Sequence, residues 1–421
     1  MELIAYLIIF FGTINLIRMG LFLIGSDIYD LKTSTEKKKA SKKGSLPFFT
    51  VVIPAHNEQN SILRAVQSVL DSDYPMDKLK VVVVDDGSTD NSRAILTAYK
   101  KEHKAKNLTL VFQKNQGKAK ALNNGLHKHA VGKLVMCLDG DSYIAPDALR
   151  NAARYFRDEK VVALASNVRI IPTGTLLNLI QRFEYLVCYQ MKRAQSLFNI
   201  EYIIGGIGST FRRDVIKKIG YYDGDTITED IDLTMKILQL GNKKHRVIYG
   251  ADVTSYTESV LSIKDLMKQR FRWKWGRSQT FYKNRNLFFN SHNRFGKALT
   301  YLYLPYAIFS DVAFFLEPLM IGYIAYIIVA YGDLVTLLSA ILVMVSYLSL
   351  NVLMETTMSL REKLVLMPFV PSMYFFFYIL SYVEYYALIK SLVLLPTLRN
   401  SIAQQICTWT HVERRVEASI A

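Results

Sequence analysis

The chain has 421 residues, 51% of them hydrophobic and 12% aromatic, and a formal net charge of +16. That length accommodates a water-soluble domain beside a membrane part, and the charge suits anionic lipid or an anionic nucleotide; with no nucleic-acid motif in the chain, a DNA or RNA partner is set aside. Three scattered cysteines, Cys137, Cys188 and Cys407, exclude a disulfide framework and a paired-thiol metal site.

The first element is a nearly unbroken apolar run from Leu3 to Ile24. At about 1.5 Å per helical residue it matches a bilayer core of about 30 Å. Met1-Glu2 is acidic and the lysines of "KTSTEKKKASKK" follow the run, which is the pattern of an uncleaved anchor and not of a signal peptide. One N-terminal span over 1–28 and a basic linker over 29–46 are expected, with Lys32 onward in the cytoplasm and Arg18 snorkelling.

From about residue 45 to 298, strand and helix patterns alternate: "FFTVVIP" then "QNSILRAVQSVL", "LKVVVVDD" then "SRAILTAYKKEH", "LTLVF" then "GKAKALNNGLHKH", and "KLVMCLDGD" as a fourth strand. This is the α/β signature of a mostly parallel sheet covered on both faces, where ligands gather at the carboxyl ends of the strands. Three of the four strands end in polar clusters: "AHNE" at 55–58, "DDGSTD" at 85–90 and "DGD" at 139–141. Each has an ordinary alternative. "HNE" can be a helix cap with Asn57 capping, "DDGSTD" a tight turn, and "DGD" a turn or a carboxylate pair for a hard divalent cation.

Further on, "GGIGST" at 205–210 is either a plain loop or a close approach of backbone to ligand. "TED" at 228–230 opens an amphipathic helix, where acidic residues are at home even without a catalytic task. "QRFRWKWG" from Gln269 reads as a basic interfacial helix. After residue 298, apolar runs at 299–332, 334–354 and 364–396 predict at least three crossings, "ETTMSLREK" facing the cytoplasm and "YGD" outward. Three crossings would put Arg414 and Arg415 of the tail outside, against the charge rule, unless one long run holds two short helices. Asp311 and Glu317 inside the first run are the charges that a transporter reading would use.

"PAHNE", "VVDDGSTD", "NQGKAKALNNG", "DGD", "TED" and "QRFRW", in this order and on these strands, resemble the processive family 2 glycosyltransferases. The resemblance spans the soluble domain and the flanking membrane segments. It implies a GT-A (Rossmann-like) catalytic domain at 47–258, interfacial helices at 259–298, membrane helices at 299–398 and a tail at 399–421. On the donor side it implies uridine held by Ala55, Asn57, Glu58 and Asp86, with Asp85 supporting the turn. Lys118 would meet the diphosphate, Asp139 the nucleotide or sugar, and Asp141 a Mg²⁺ or Mn²⁺ ion. Glu229 and Asp230 fall on the catalytic position, Asp230 as general base. Gln269 and Trp273 would bind the acceptor sugar, Arg272 would brace the donor site, and Gly206 and Gly208 would line the acceptor channel.

The implied activity is processive, inverting transfer of a UDP-sugar to a growing polysaccharide at a bacterial cell membrane, with catalysis in the cytoplasm. A small accessory membrane subunit is a further partner. The compact size and "ITEDIDLTMKI" are most similar to poly-β-1,6-N-acetylglucosamine synthases, which points to UDP-N-acetylglucosamine. Those commonly carry two N-terminal spans where this chain shows one, so a β-glucan or hyaluronan synthase and a non-processive lipid-linked glycosyltransferase are the neighbouring readings. "TWTHVERR" near the end faintly resembles a gating segment.

Overall fold

The computed structural model describes residues 2–40 and 45–403. Helix α1 (Glu2–Ala40) does not stop where its apolar run stops. Between Ser26 and Ala40 there is no proline or glycine to break it, and Asp, Lys, Thr and Glu are compatible with a helix, so the stretch expected as a linker is helical to residue 40. Its second half lies on the soluble domain: the Tyr29 hydroxyl donates to the Tyr249 carbonyl at 2.7 Å, and Asp30 is 3.3 Å from the buried Arg193.

The soluble domain then runs β1 (Phe49–Ala55), α2 (Ile62–Leu70), β2 (Leu79–Asp86), α3 (Ser92–Glu102), β3 (Leu108–Gln113), α4 (Lys118–Asn124), β4 (Leu134–Cys137), β5 (Tyr143–Ile144), α5 (Ala148–Tyr155), β6 (Val161–Ile170), α6 (Leu176–Leu197), β7 (Ser209–Arg212), α7 (Arg213–Lys218), α8 (Glu229–Gln239), β8 (Arg246–Thr257) and α9 (Ile263–Lys283). The eight strands form one sheet in the order β3-β2-β1-β4-β7-β6-β8-β5. Strands β1 to β4 are parallel, as the alternating pattern predicts, but β7 runs antiparallel to both β4 and β6, so the sheet is mixed. The departure lies between β6 and β7: α6 and the "GGIGST" loop bring the chain back antiparallel to β6 and not through a parallel βαβ crossover.

Alternate residues of each central strand feed two cores. Val52, Val82, Val84 and Val135 face one layer, and Val51, Ile53, Val81, Val83 and Met136 the other. Each such side chain contributes about 1.5–3 kcal/mol on burial, which is why these strands read as unbroken apolar runs. The pairing Ala55↔Asp85 and Asp86↔Gln113 brings the carboxyl ends of β1, β2 and β3 level, so the polar clusters meet at one edge.

Beyond it come α10 (Leu304–Phe315), α11 (Glu317–Tyr331), α12 (Leu334–Met354), α13 (Leu360–Leu366), α14 (Val370–Leu394) and α15 (Leu398–Ala403). The apolar run 299–332 is two helices. It breaks at Leu316, just before Pro318, whose ring blocks the carbonyl four residues back. Among the described residues four helical stretches are long and apolar enough to cross a membrane: Ala5–Thr35, Ala298–Phe315, Leu334–Met354 and Leu360–Ile402; α11 is shorter. The tail residues Trp409, Arg414 and Arg415 lie outside the described residues.

Candidate active site

At the carboxyl edge of the sheet the turn after β1 and the turn after β2 are laced together. The Asn57 backbone, in the left-handed region at φ 58°, donates to the Ser88 hydroxyl at 2.9 Å, and the Asn57 side-chain oxygen accepts from the Thr89 amide at 2.8 Å. The Glu58 and Gln59 amides reach Ser92 and Asp90 at 2.9 and 3.0 Å. Asn57 is therefore not a helix cap; Ser61 precedes α2. Asp85 and Asp86 are fully buried beneath these turns. Asp85 accepts from the Ser88 amide and from Arg93, while both Asp86 oxygens accept from the amides of Gln116 and Gly117, at 2.9 and 2.7 Å. Asp86 thus shapes the loop that delivers Lys118.

Above this floor opens a cavity of about 1050 Å³. Asn57, Glu58, Lys118, Asp139, Asp141, Gly206, Glu229, Asp230, Gln269, Arg272 and Trp273 all line it, whereas Ala55, Asp85, Asp86 and Gly208 stand behind the wall. Lys118 joins the motifs: its ammonium is 2.8 Å from Asp139 and 3.1 Å from Glu229. Burial works against that charge, but Asp139, Glu229 and Asp230 outweigh it, and the Lys118 pKa lies well above the ordinary lysine value. A Cβ at Gly206 would sit 2.9 Å from the Lys118 ammonium nitrogen, so a side chain there would displace the tip of Lys118. Burial, reinforced by Glu229, pushes the Asp230 carboxyl up to about 6 against the pull of Lys118. That is a useful value for a base working near neutrality. Asp230 lies in the first turn of α8 behind Thr228, its side chain accepting from the Ile231 amide at 2.9 Å. Asp139 and Asp141 present hard carboxylate oxygens one residue apart, a donor set that fits Mg²⁺ or Mn²⁺.

Residues 50–220 match the sequence model of Glycosyl transferase family 2. This segment is a family 2 glycosyltransferase domain. Curated relatives of the chain include the poly-β-1,6-N-acetyl-D-glucosamine synthase of Staphylococcus epidermidis, 34% identical over 227 residues, 53% of each chain. The synthase of the same name from Staphylococcus aureus strain MSSA476 is 31% identical over 267 residues, 61% of this chain and 62% of that one. The matches thus span between about half and three fifths of these relatives' length. A mannosyltransferase of Pyrobaculum calidifontis, solved with GDP-Man and Mn²⁺, is similar at a TM-score of 0.57 over 90% of this chain and 98% of that one, at 21% identity. The shared fold is GT-A.

The glycosyltransferase domain continues its cavity into the helices that follow it. Helix α9 turns Gln269 and Trp273 into the space; Gln269 is buried, with its side-chain oxygen unpartnered. The Arg270 guanidinium lies 4.4 Å from the centre of the Trp273 ring and pairs with Glu184 of α6 through both nitrogens, at 2.6 and 2.7 Å. Lys274 is 3.0 Å from Asp311 of α10 and 3.4 Å from Glu384 of α14, and Arg277 also binds Asp311. These three cations, Arg270, Lys274 and Arg277, recur at helical spacing along α9. Each is neutralised by a protein carboxylate, Glu184 or Asp311. Asp311 is likewise an ion-pair partner of α9. Sequence reasoning missed Glu184, Tyr185, Cys188 and Tyr189 of α6, all of which line the cavity. Their spacing by three and four was the available signal.

Proposed function

We propose that the chain is a membrane-embedded, processive, inverting glycosyltransferase that polymerises a UDP-activated sugar, UDP-N-acetylglucosamine by preference, and passes the β-linked product outward. The observation that carries this reading is a single cavity lined by two groups: the carboxylate motifs with Lys118, and Gln269 and Trp273 of α9 with Glu384 of the membrane-length helix α14. A donor site alone would not need the second group. The names of the staphylococcal relatives favour the N-acetylglucosamine donor.

In this reading the turns at Asn57 and Glu58 seat the nucleotide, with Asp85 and Asp86 holding those turns and the Lys118 loop from beneath. Lys118 moves between Asp139 and the diphosphate, offering a point charge where negative charge develops. Asp141, with Asp139 beside it, would hold Mg²⁺ or Mn²⁺, which when bound offsets charge on the leaving diphosphate. The acceptor hydroxyl gives its proton to Asp230 as its oxygen forms the new bond to the anomeric carbon, and the bond to UDP breaks on the opposite face. One displacement inverts the configuration, so an α-linked donor yields a β-linked product. Trp273 offers its ring to the C–H face of the acceptor sugar, and Gln269 hydrogen-bonds a hydroxyl. Arg272 braces the donor side of this contact.

The test is incubation of purified protein in vesicles with single radiolabelled UDP-sugars and Mg²⁺ or Mn²⁺, then digestion with linkage-specific hydrolases. High-molecular-weight product from UDP-N-acetylglucosamine alone is expected. Product only from UDP-glucose makes the enzyme a glucan synthase, a requirement for two donors makes it hyaluronan-like, and a single sugar on lipid removes processivity.

A further inference from the structure

The loop that presents the proposed base is held by a network that the reaction itself does not use. Between Tyr221 and Thr228 the chain reads "YYDGDTIT", with two carboxylates on a glycine-containing turn. The Lys283 ammonium, in the last turn of α9, sits among three carboxylates: Asp223 and Asp232 at 2.7 Å and Asp225 at 2.8 Å. Asp232 is fully buried, two residues beyond Asp230 on α8, and its second oxygen accepts from Asn284 at 3.0 Å. Lys236 closes the other side, donating to Asp223 and to the Tyr221 carbonyl, each at 2.8 Å.

The same α9 face grips the loop twice more. The Gln279 side-chain oxygen accepts from the Ile227 amide at 3.0 Å. One turn earlier Gly276 lies so close to Thr228 that a Cβ there would be 2.5 Å from its methyl. Contacts at 276, 279 and 283 lie along one helix face, and Gln269 and Trp273 sit further back on the same helix. Loop, base and acceptor side chains are therefore referred to one rigid rod.

We propose that Lys283 is a positioning residue: by pinning Asp223, Asp225 and Asp232 it sets the Asp230 carboxylate against the acceptor groups carried on its own helix. This rests on the reading of Asp230 as base. Three carboxylate oxygens lying within 4.8 Å of one another repel unless a cation sits between them, so loss of Lys283 should loosen the loop toward solvent. Misplacement of a reacting group by about 1 Å can cost about 100-fold in rate.

The test compares full-length K283M, K283R, D225N and D230N in vesicles, measuring kcat and KM from UDP release and the Kd for UDP with Mn²⁺ by titration. K283M should lower kcat about 10- to 100-fold while KM and the UDP Kd stay within about threefold, the signature of a misplaced base and not of a lost donor site. K283R, whose guanidinium can still reach paired carboxylates, should recover most of kcat. D225N, nearly isosteric, should lower kcat in the same sense but less. Wild-type kcat in K283M and D225N, with D230N inactive, overturns the clamp alone; an active D230N overturns the base reading instead. Parallel loss of kcat and UDP affinity in K283M reduces Lys283 to a structural role, unless D225N shows the kcat-only loss, in which case the clamp stands.

Discussion

At the scale of single residues, the two carboxylate sites separate cleanly. Asp141→Asn removes a charged oxygen from the proposed cation site, so metal-dependent UDP binding should weaken together with turnover, read by titration with and without Mn²⁺. Asp230→Asn keeps the shape, but an amide accepts no proton. Synthesis should fall by about 10²- to 10⁴-fold while UDP binding persists. The raised Asp230 carboxyl adds a pH signature. Its base form is lost as pH falls through about 6, so kcat/KM should drop about tenfold per unit below that point, and the limb should vanish in Asp230→Asn. Stability runs the other way: a raised acid favours the fold below its ordinary range near 4 and loses that contribution as pH rises through about 6. Trp273→Ala should shorten the polymer with UDP affinity unchanged, a comparison that sizing of product against a UDP titration decides.

At the scale of elements, helix α6 forms a wall of the cavity that the sequence did not announce. Cys188 on this wall is exposed, whereas Cys137 is buried. In a Cys407→Ser background, a maleimide should label Cys188, stop polymer growth and leave UDP binding intact; loss of UDP binding on labelling would place α6 at the donor end. The label should react faster as pH rises, because the thiolate is the reacting form. Strands β1 to β4 were legible because each is a buried apolar run closed by a polar cluster. The direction of β7 was not, since a short strand such as "STFR" carries no mark of its orientation. Asn57 as a cap candidate was misleading for a local reason: the spacing suits a cap, yet its partner Thr89 lies on the neighbouring strand's turn. In α9 the pattern was visible but its partners were not, because Glu184, Asp311 and Glu384 come from three distant helices.

At the scale of the molecule, the membrane-length helix α12 and the glycosyltransferase domain meet at a buried charge. Arg193 of α6 is fully buried, paired through one nitrogen with both oxygens of Glu355 at 2.8 and 2.9 Å, and close to Asp30 of α1. Removing one member of a buried pair strands the other, at a cost of about 3–5 kcal/mol. Glu355→Gln should therefore lower the thermal midpoint markedly, and Arg193→Met with Glu355→Leu should be less damaged than either single change; a more damaged double variant would refute the pairing account. The length of α1 has a mechanical meaning as well. Its 39 residues make a rod of about 58 Å, roughly twice the hydrocarbon thickness of a bilayer. In the proposed membrane-embedded protein, half of such a rod seated in lipid would leave the other half standing as a mast against α6, and the catalytic domain would ride at a set height and azimuth over the membrane. Under the proposed function the nascent sugar chain would then start each cycle from a fixed berth, its heading decided before the first bond is made.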